Sequence, residues 1–530
     1  MNCRPLVSSG GFATGTIDLG GLEVRQVSTF AKVWSTGRDA GGAGATFYRP
    51  SPVPAGFWAL GHYAQRDDRP LFGHVLVARD TSSSDTERPI LAHPRDYTLV
   101  WSSPDGAGCF WLPAAPDGYM PIGVVATATP DKPPLGEVRC VRADFTDACE
   151  AEAPAVWSGG GGFSAAVLRP AARCVDARGV HAGTFLARSG AAAAAAAVEA
   201  SALVACLKNN GASHTCAMPD LAQVHAVLAA YAPVVYLHPD EPYMPSSVAW
   251  FFENGALLHR RDDGNGGQAP APVAADGSNL PQGGDNDGEY WLDLPAGRDR
   301  RERAKRGDLA GAKAYVQVKP MLGGTATDLA MWFFYPFNGP ARGRVAFATV
   351  PLGGIGSHVG DWEHLTLRVS NFSGELLRVY FSQHSAGAWV DAPRLEYGGG
   401  GGGGRPVAYA SLHGHAFYPR AGLELQGSPA AGIRNDSAKG SVLDTGGAGR
   451  CEVVSAEYLG VAEPAWLGFM RPWGPTEVYA IGRVIDGVAW LLPRAMRERL
   501  ERLVKKLFVG DGATGPKKHG SWINDERDPK

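Results

Sequence analysis

A short phrase that recurs three times in the first third of the chain constrains its fold more than any other feature. The copies are Val33-Trp34-Ser35, Val100-Trp101-Ser102 and Val156-Trp157-Ser158. After the first come Phe47-Tyr48-Arg49-Pro50, Pro54-Ala55-Gly56-Phe57 and Leu60-Gly61. After the second come Phe110-Trp111-Leu112-Pro113, Pro116-Asp117-Gly118-Tyr119 and Ile122-Gly123. Both copies close on an alternating run, at 73–79 and 136–142, and the third copy is degenerate. Self-similarity of this kind means one structural unit used repeatedly. Period-two alternation between Pro-Gly turns predicts short strands with one apolar face. Such a face must be buried, and three sheets can bury theirs against one another. The expectation is an N-terminal three-repeat β-prism-like domain over residues 1–189, with Trp34, Trp101 and Trp157 in equivalent positions as core anchors.

At 530 residues the chain exceeds what one hydrophobic core usually serves. Its 70 glycines and 39 prolines favour turns and short strands over long helices. The net charge of −3 gives no electrostatic case for a nucleic-acid partner. The eight cysteines are scattered without a CxxC pair, so free thiols are expected rather than disulfides or a zinc site. Residues 1–20 lack a basic segment followed by an apolar run, and no apolar, charge-free stretch reaches the roughly 18 residues of a membrane span. The expectation is a protein that is not secreted, has no transmembrane segment, and is cytoplasmic or peripheral on endomembranes.

An alanine tract at 191–197 opens a linker placed at 190–219, and Asp220 is positioned to cap a helix over 221–231. Beyond it, strand-like runs at 231–239, 314–318, 329–335, 362–369, 376–382 and 407–411 alternate with long loops. That pattern predicts a C-terminal β-sandwich with peripheral helices over 220–510. A basic amphipathic helix at 493–508 is expected to dock its apolar stripe on the body, and residues 511–530 to be a loose tail.

The segment Gly356-Ser357-His358-Val359-Gly360-Asp361-Trp362-Glu363-His364 precedes Leu365, Leu367 and Val369. On a strand, Asp361 and Glu363 share the face of those apolar residues, where unpaired carboxylates are costly. A cation, an arginine or solvent must compensate, and His358 can turn back at Gly360 toward the same point. Oxygen ligands with one imidazole suit Ca²⁺, Mg²⁺ or Mn²⁺, and Zn²⁺ less often. His384, at the end of the 376–382 run, and the His413-Gly414-His415 pair are further ligand-binding candidates, the pair sharing one face if extended.

Three resemblances attach to these residues. The repeats resemble the adaptor-binding repeats of vacuolar protein sorting-associated protein 13, which implies a platform that captures proline-containing peptides. Gly11-Phe12-Ala13-Thr14-Gly15, residues 231–239, Gly360-Asp361-Trp362-Glu363-His364 and Trp473-Gly474-Pro475 make the whole chain resemble the vacuolar protein sorting-associated protein 62 family of plants and fungi. That family implies a trafficking link and no established activity. Residues 332–338, 356–363, 382–384 and 411–415 look like necrosis- and ethylene-inducing-peptide-like proteins, secreted β-sandwich cytolysins that hold a divalent cation. By position this resemblance implies His358, Asp361 and Glu363 as part of a metal shell, joined by Asn338. The chain departs from that pattern in the neutral Asn338 and in Val359-Gly360.

Three functions remain open: a non-catalytic adaptor binding protein partners through its repeats and a lipid or sugar headgroup through a cation-assisted site; a metal-dependent hydrolase with Glu363 or a histidine as general base; and a cation-free scaffold.

Overall fold

Each copy of the repeated phrase opens an antiparallel sheet of three strands, to which Cys149–Ala151 adds a fourth in the third repeat, in the computed structural model, which describes residues 11–37, 44–82, 88–190, 200–262, 269–345, 348–384, 386–398, 404–428, 431–479, 481, 493–507, 510 and 512–526. The sheets are Phe30–Ser35, Ala45–Pro50 and Tyr63–Arg66; Asp96–Ser102, Cys109–Ala114 and Val125–Thr127; and Trp157–Gly159, Phe163–Pro170 and Phe185–Arg188. In register, Trp34 opposes Phe47, Trp101 opposes Phe110, and Trp157 opposes Ala165. The three indoles meet, with ring centroids 6.1, 5.9 and 5.6 Å apart. Below them Phe47, Phe110 and Phe163 continue one shared core. The tryptophans are partly rather than fully buried, so they cap this core at one end.

Register also aligns Gly61, Gly123 and Thr184, each three residues before an alanine that faces the middle strand. A Cβ on Gly123 would lie 2.6 Å from Thr184 Cβ, and one on Gly61 3.1 Å from Gly123 Cα. One side chain fits where the repeats converge. The third repeat supplies it, and the other two supply glycine.

Each repeat also contributes a smaller sheet: Leu22–Val27 with Val75–Asp80 and Trp58–Ala59, Leu91–Ala92 with Cys140–Arg142 and Tyr119–Met120, and Thr146–Asp147 with Cys206–Lys208 and Gly179–Val180. The Cys206–Lys208 strand therefore completes the third repeat from inside the stretch expected to be linker. The alanine tract that obscured this continuity, 191–197, lies outside the described residues.

The C-terminal half is built on a six-stranded sheet, ordered Ala386–Asp391, Leu376–Gln383, His358–Ser370, Ala326–Asn338, Ala314–Met321 and Cys451–Ser455. One face packs on a second sheet that includes Val234–Tyr236, Arg405–Ala410 and Val442–Asp444, with Val235, Ala408, Leu365 and Phe381 in their common core. The opposite face carries Trp332, Phe334 and Trp362 beneath the helix Val248–Glu253 and beneath Trp466, Trp473 and Trp522. Helices stay peripheral. Leu221–Tyr231 begins with a capping box between Asp220 and Gln223. Arg494–Leu507 buries Leu500 and Val504 against Val350, Leu352 and Ile433, the expected docking of its stripe. Among the described residues no helix is long and apolar enough to cross a membrane. The described cysteines are all free, and Cys3 lies outside the described residues.

The halves interlock through exchanged side chains. Phe12 from the N-terminal stretch enters the sheet-pair core, and Phe372 from the six-stranded sheet's hairpin enters a core of the repeats. The expected loose tail is instead packed over residues 512–526. Ser521 and Trp522 are buried, Lys319 Nζ donates to the carbonyls of Ser521 at 2.5 Å and Asn524 at 3.0 Å, and Asp525 reaches Arg173 of the repeats at 3.2 Å. The general looseness of chain termini does not apply here, because these polar groups bond buried partners rather than water.

Candidate functional site

Asp361 and Glu363 lie on the His358–Ser370 strand opposite Tyr335 and Phe333, and they face the core that holds Leu365, Leu367 and Val369. They are 8% and 6% exposed. Alternation breaks at Gly360, whose φ of +67° turns Val359 toward the other face beside Trp362. A Cβ at Gly360 would also lie 2.7 Å from the Trp473 carbonyl oxygen, so only glycine serves there.

Burial of two carboxylates demands compensation, and it comes from histidine, serine and a proton. His415, fully buried, donates from Nδ1 to Asp361 Oδ2 at 2.9 Å, and its Nε2 lies 3.7 Å from Glu241 Oε1. Its ring stacks on Tyr335 at 3.8 Å and 7°. Burial alone would push this imidazole down, but the Glu241 and Asp361 carboxylates outweigh it and hold the group up at about 9. It is an imidazolium at neutral pH. Burial likewise pulls the Glu241 carboxyl up, and the charge on His415 with the amides of His413 and Tyr243 more than reverses that. Glu363 goes the other way: burial first, then the Asp361 charge, push it well above the usual carboxylate range. Its Oε2 accepts from Ser382 Oγ at 2.5 Å.

The remaining candidates are brought to the same end of the sheet pair, each with a partner of its own. His358 Nδ1 donates to the Gly360 carbonyl at 2.7 Å. Asn338 Nδ2 donates to the carbonyls of Gly339 at 3.0 Å and Gly356 at 2.6 Å. His384 Nε2 is 3.0 Å from Asn435 Oδ1, and His413 Nδ1 is 2.8 Å from the Pro340 carbonyl oxygen. The His413/His415 segment is not extended. Both residues have positive φ, +71° and +53°, and the rings go to different partners instead of sharing one face. His384 joins them at +58°, so three left-handed histidines crowd one rim, a conformation costly for any residue with a Cβ. Among the described residues no three side chains of His, Cys, Asp and Glu converge as a metal shell.

Sequence reasoning missed Glu241, Tyr335 and Ser382. Glu241 lies between Pro239 and Pro242, which reads as a surface turn, yet it is 5% exposed. Tyr335 and Ser382 sit on strands that were recognised, but only the fold brings them to Asp361 and Glu363.

Small repeated sheets locked to a two-sheet domain, with the Asp361 and Glu363 carboxylates answered by His415 and Ser382, define a mostly β protein whose likeness lies at the level of family. The family model for vacuolar protein sorting-associated protein 62 matches residues 3–526, and the chain belongs to that family. No curated protein matches the chain. Among solved structures, GNIP1Aa from Chromobacterium piscinae matches with 18% identity and a TM-score of 0.29, covering 40% of this chain and 40% of that one. Necrosis and Ethylene inducing Protein 2, from the causal agent of cocoa's Witches Broom disease, matches with 16% identity and a TM-score of 0.16, covering 43% of this chain and 91% of that one.

Proposed function

We propose that the protein is a non-catalytic binding protein of vacuolar or endomembrane trafficking, acting in the cytoplasm or peripherally on endomembranes, with the repeats as its partner-binding platform. The family's description supports the trafficking setting. The observation that carries the binding reading is the meeting of Trp34, Trp101 and Trp157, part-buried, at one end of the repeat core. Three chain segments there form one aromatic surface of the kind that anchors short proline-containing peptides. Against catalysis stands the engagement of each candidate acid or base: Asp361 with His415, Glu363 with Ser382, His358 with a backbone carbonyl.

The test is fluorescence anisotropy of a proline-containing peptide set on the full chain. Saturable binding that Trp101→Leu weakens at least tenfold is expected, with circular dichroism confirming a folded variant. A peptide set that fails to bind, or binds equally well after the substitution, removes the platform.

A second reading keeps a divalent cation at Asp361 and Glu363, and one observation favours it. The Tyr335 hydroxyl is buried without a hydrogen-bond partner among the described residues, and the carboxyls of Asp361, Glu241 and Glu363 all lie within electrostatic reach of it. Ca²⁺, Mg²⁺ or Mn²⁺, or less readily Zn²⁺, would there displace the Glu363 proton and present a lipid or sugar headgroup to the His384/His413 rim, or activate water for hydrolysis. A melting temperature indifferent to chelator and to each cation removes this reading. Cation-dependent ester hydrolysis abolished by Glu363→Gln would instead replace the adaptor reading with the hydrolase.

A further inference from the structure

A cavity of about 240 Å³ lies between the repeats and the six-stranded sheet, away from the Asp361 cluster. Its floor carries Arg368, Arg378 and Asp391, which face one another across three strands, with Asp328 next in the row behind Arg368. Two arginines directly opposite each other in an antiparallel pair repel, so each needs its own counter-charge. Arg368 has two. Its Nε and Nη2 both meet Asp328 at 2.7 Å, and Nη2 meets Asp525 at 2.6 Å. Arg378 has none. Its cross-strand neighbour Asp391 is bound instead by Arg69 of the repeats, at 2.5 Å.

Among the described residues the Arg378 guanidinium makes no ion pair and no side-chain hydrogen bond. It lies over the Trp389 ring, 4.4 Å from its centroid, on an indole that Arg368 also covers at 4.5 Å. Two further donors lining the cavity are unsatisfied. Arg368 is 1% exposed, and its Nη1 is buried without a partner. His181 has no hydrogen-bond partner among the described residues, and burial, then His74, Arg378, Arg368 and Arg169, hold its imidazole down at about 3. The three carboxylates that line the cavity are engaged: Asp525 with Arg368, Asp391 with Arg69, and Glu152 with Arg169 at 3.8 Å. Half-buried Arg378, with no ion pair, and the buried Arg368 Nη1, with no partner, leave cationic donors on the cavity wall that an anionic ligand can engage.

We propose that this interdomain cavity binds a small phosphate-bearing anion, held by the Arg378 guanidinium, Arg368 Nη1 and the His181 ring. The guanidinium fork matches two phosphate oxygens at once, and the other two donors reach the remainder. The volume admits a phosphate with a small polar substituent. The ligand is therefore a free phosphate ester or the headgroup of a phospholipid whose tails stay outside. Residues from both halves line the cavity, so the ligand also bridges the repeats and the sheet pair. The inference stands apart from the adaptor reading and does not need it.

The experiment is thermal unfolding of the full chain with inorganic phosphate and with soluble inositol trisphosphate, against chloride at equal ionic strength. A saturable rise in melting temperature is expected, because the folded state alone offers the site. Arg378→Met should weaken that response at least tenfold, yet leave the ligand-free melting temperature unchanged or higher, since it deletes an unpaired cation. Arg378→Lys, which keeps the charge and loses the fork, should weaken it severalfold, and it serves as the reference if the methionine variant fails to fold. Co-sedimentation with phosphatidylcholine vesicles containing a phosphatidylinositol phosphate distinguishes the sources. Pelleting that requires Arg378 assigns a lipid headgroup, and a response to soluble ligand without pelleting assigns a free phosphate ester. Absence of a saturable response to either soluble probe, or an equal response in Arg378→Met and Arg378→Lys, overturns the proposal.

Discussion

The His358–Ser370 strand carries charge on both faces, and the two faces compensate it differently. Toward the sheet-pair core, Asp361 and Glu363 are answered from within the same half, by His415 and Ser382, and Glu363 keeps its proton. Toward the repeats, His364, Thr366 and Arg368 are answered by the far end of the chain. Glu526 bonds His364 at 3.1 Å and Thr366 at 2.6 Å, and Asp525 bonds Arg368. One face is a closed cluster answered within its own half. The other is an interface whose charge balance exists only once the tail and the repeats have docked, and it leaves Arg378 over. Buried charge in this chain therefore marks two kinds of place, one settled by folding a domain and one by joining two.

Four measurements sharpen or break that contrast. The largest effect belongs to Arg368→Met, which strands Asp328, 0% exposed, without its cation and leaves Asp525 with Arg173 alone. A loss of about 3–5 kcal/mol in urea unfolding is expected, the usual result of removing one partner from a buried pair. A loss below about 1 kcal/mol would mean that the interface does not depend on this network.

Acid comes next. Burial raises the Glu526 carboxyl, but His364, Lys319 and the Thr366 hydroxyl hold it down at about 2, against an ordinary 4.5. Since the folded-state value is the lower one, its contribution is complete above about pH 4.5 and disappears as pH falls through about 2. Stability in urea should fall by about 3 kcal/mol over that window, and Glu526→Gln should flatten the fall. An unchanged slope in the variant would take Glu526 out of the interface.

Asp361→Asn tests the inner face. It removes a charged hydrogen bond to His415 and should cost about 2 kcal/mol near neutral pH. The His415 titration, followed by NMR, should move down from about 9. In the parent, the raised imidazole contributes fully below its unfolded value of 6.5, and that contribution is lost as pH rises through about 9. A His415 titration unmoved by Asp361→Asn would assign its charge to Glu241 alone.

The smallest effect should be Glu363→Gln, under about 1 kcal/mol, because a neutral amide replaces a carboxyl that is already neutral. A large loss would mean that Glu363 is ionised and that something other than a proton balances it, which would strengthen the cation reading.

Legibility varied by element for physical reasons. The repeats could be read because each copy obeys the same local rule, apolar alternation between Pro-Gly turns. The strand Cys206–Lys208 could not, because the alanine tract separates it from its own repeat. Asp361 and Glu363 were legible as buried carboxylates from their phase with Leu365 and Leu367, and that phase holds as far back as Gly360, where the positive φ reverses it. His415 was singled out, but for an extended pair with His413 that the left-handed backbone rules out. Glu241 gave no local sign of burial.

By itself, then, the sequence determined a mostly β chain, a threefold repeat with its tryptophans in equivalent places, and a strand with two carboxylates on an apolar face. These follow from nearest-neighbour rules, backbone periodicity and the need to bury an apolar surface. Only the tertiary structure decided that Thr184 fills the space the other repeats leave with glycine, that Glu241 completes the His415 cluster, and that Asp525 and Glu526 close the interface. Those outcomes depend on which groups meet after distant segments have packed. A side chain's charge state and its partner are set by that meeting and not by its neighbours in the chain.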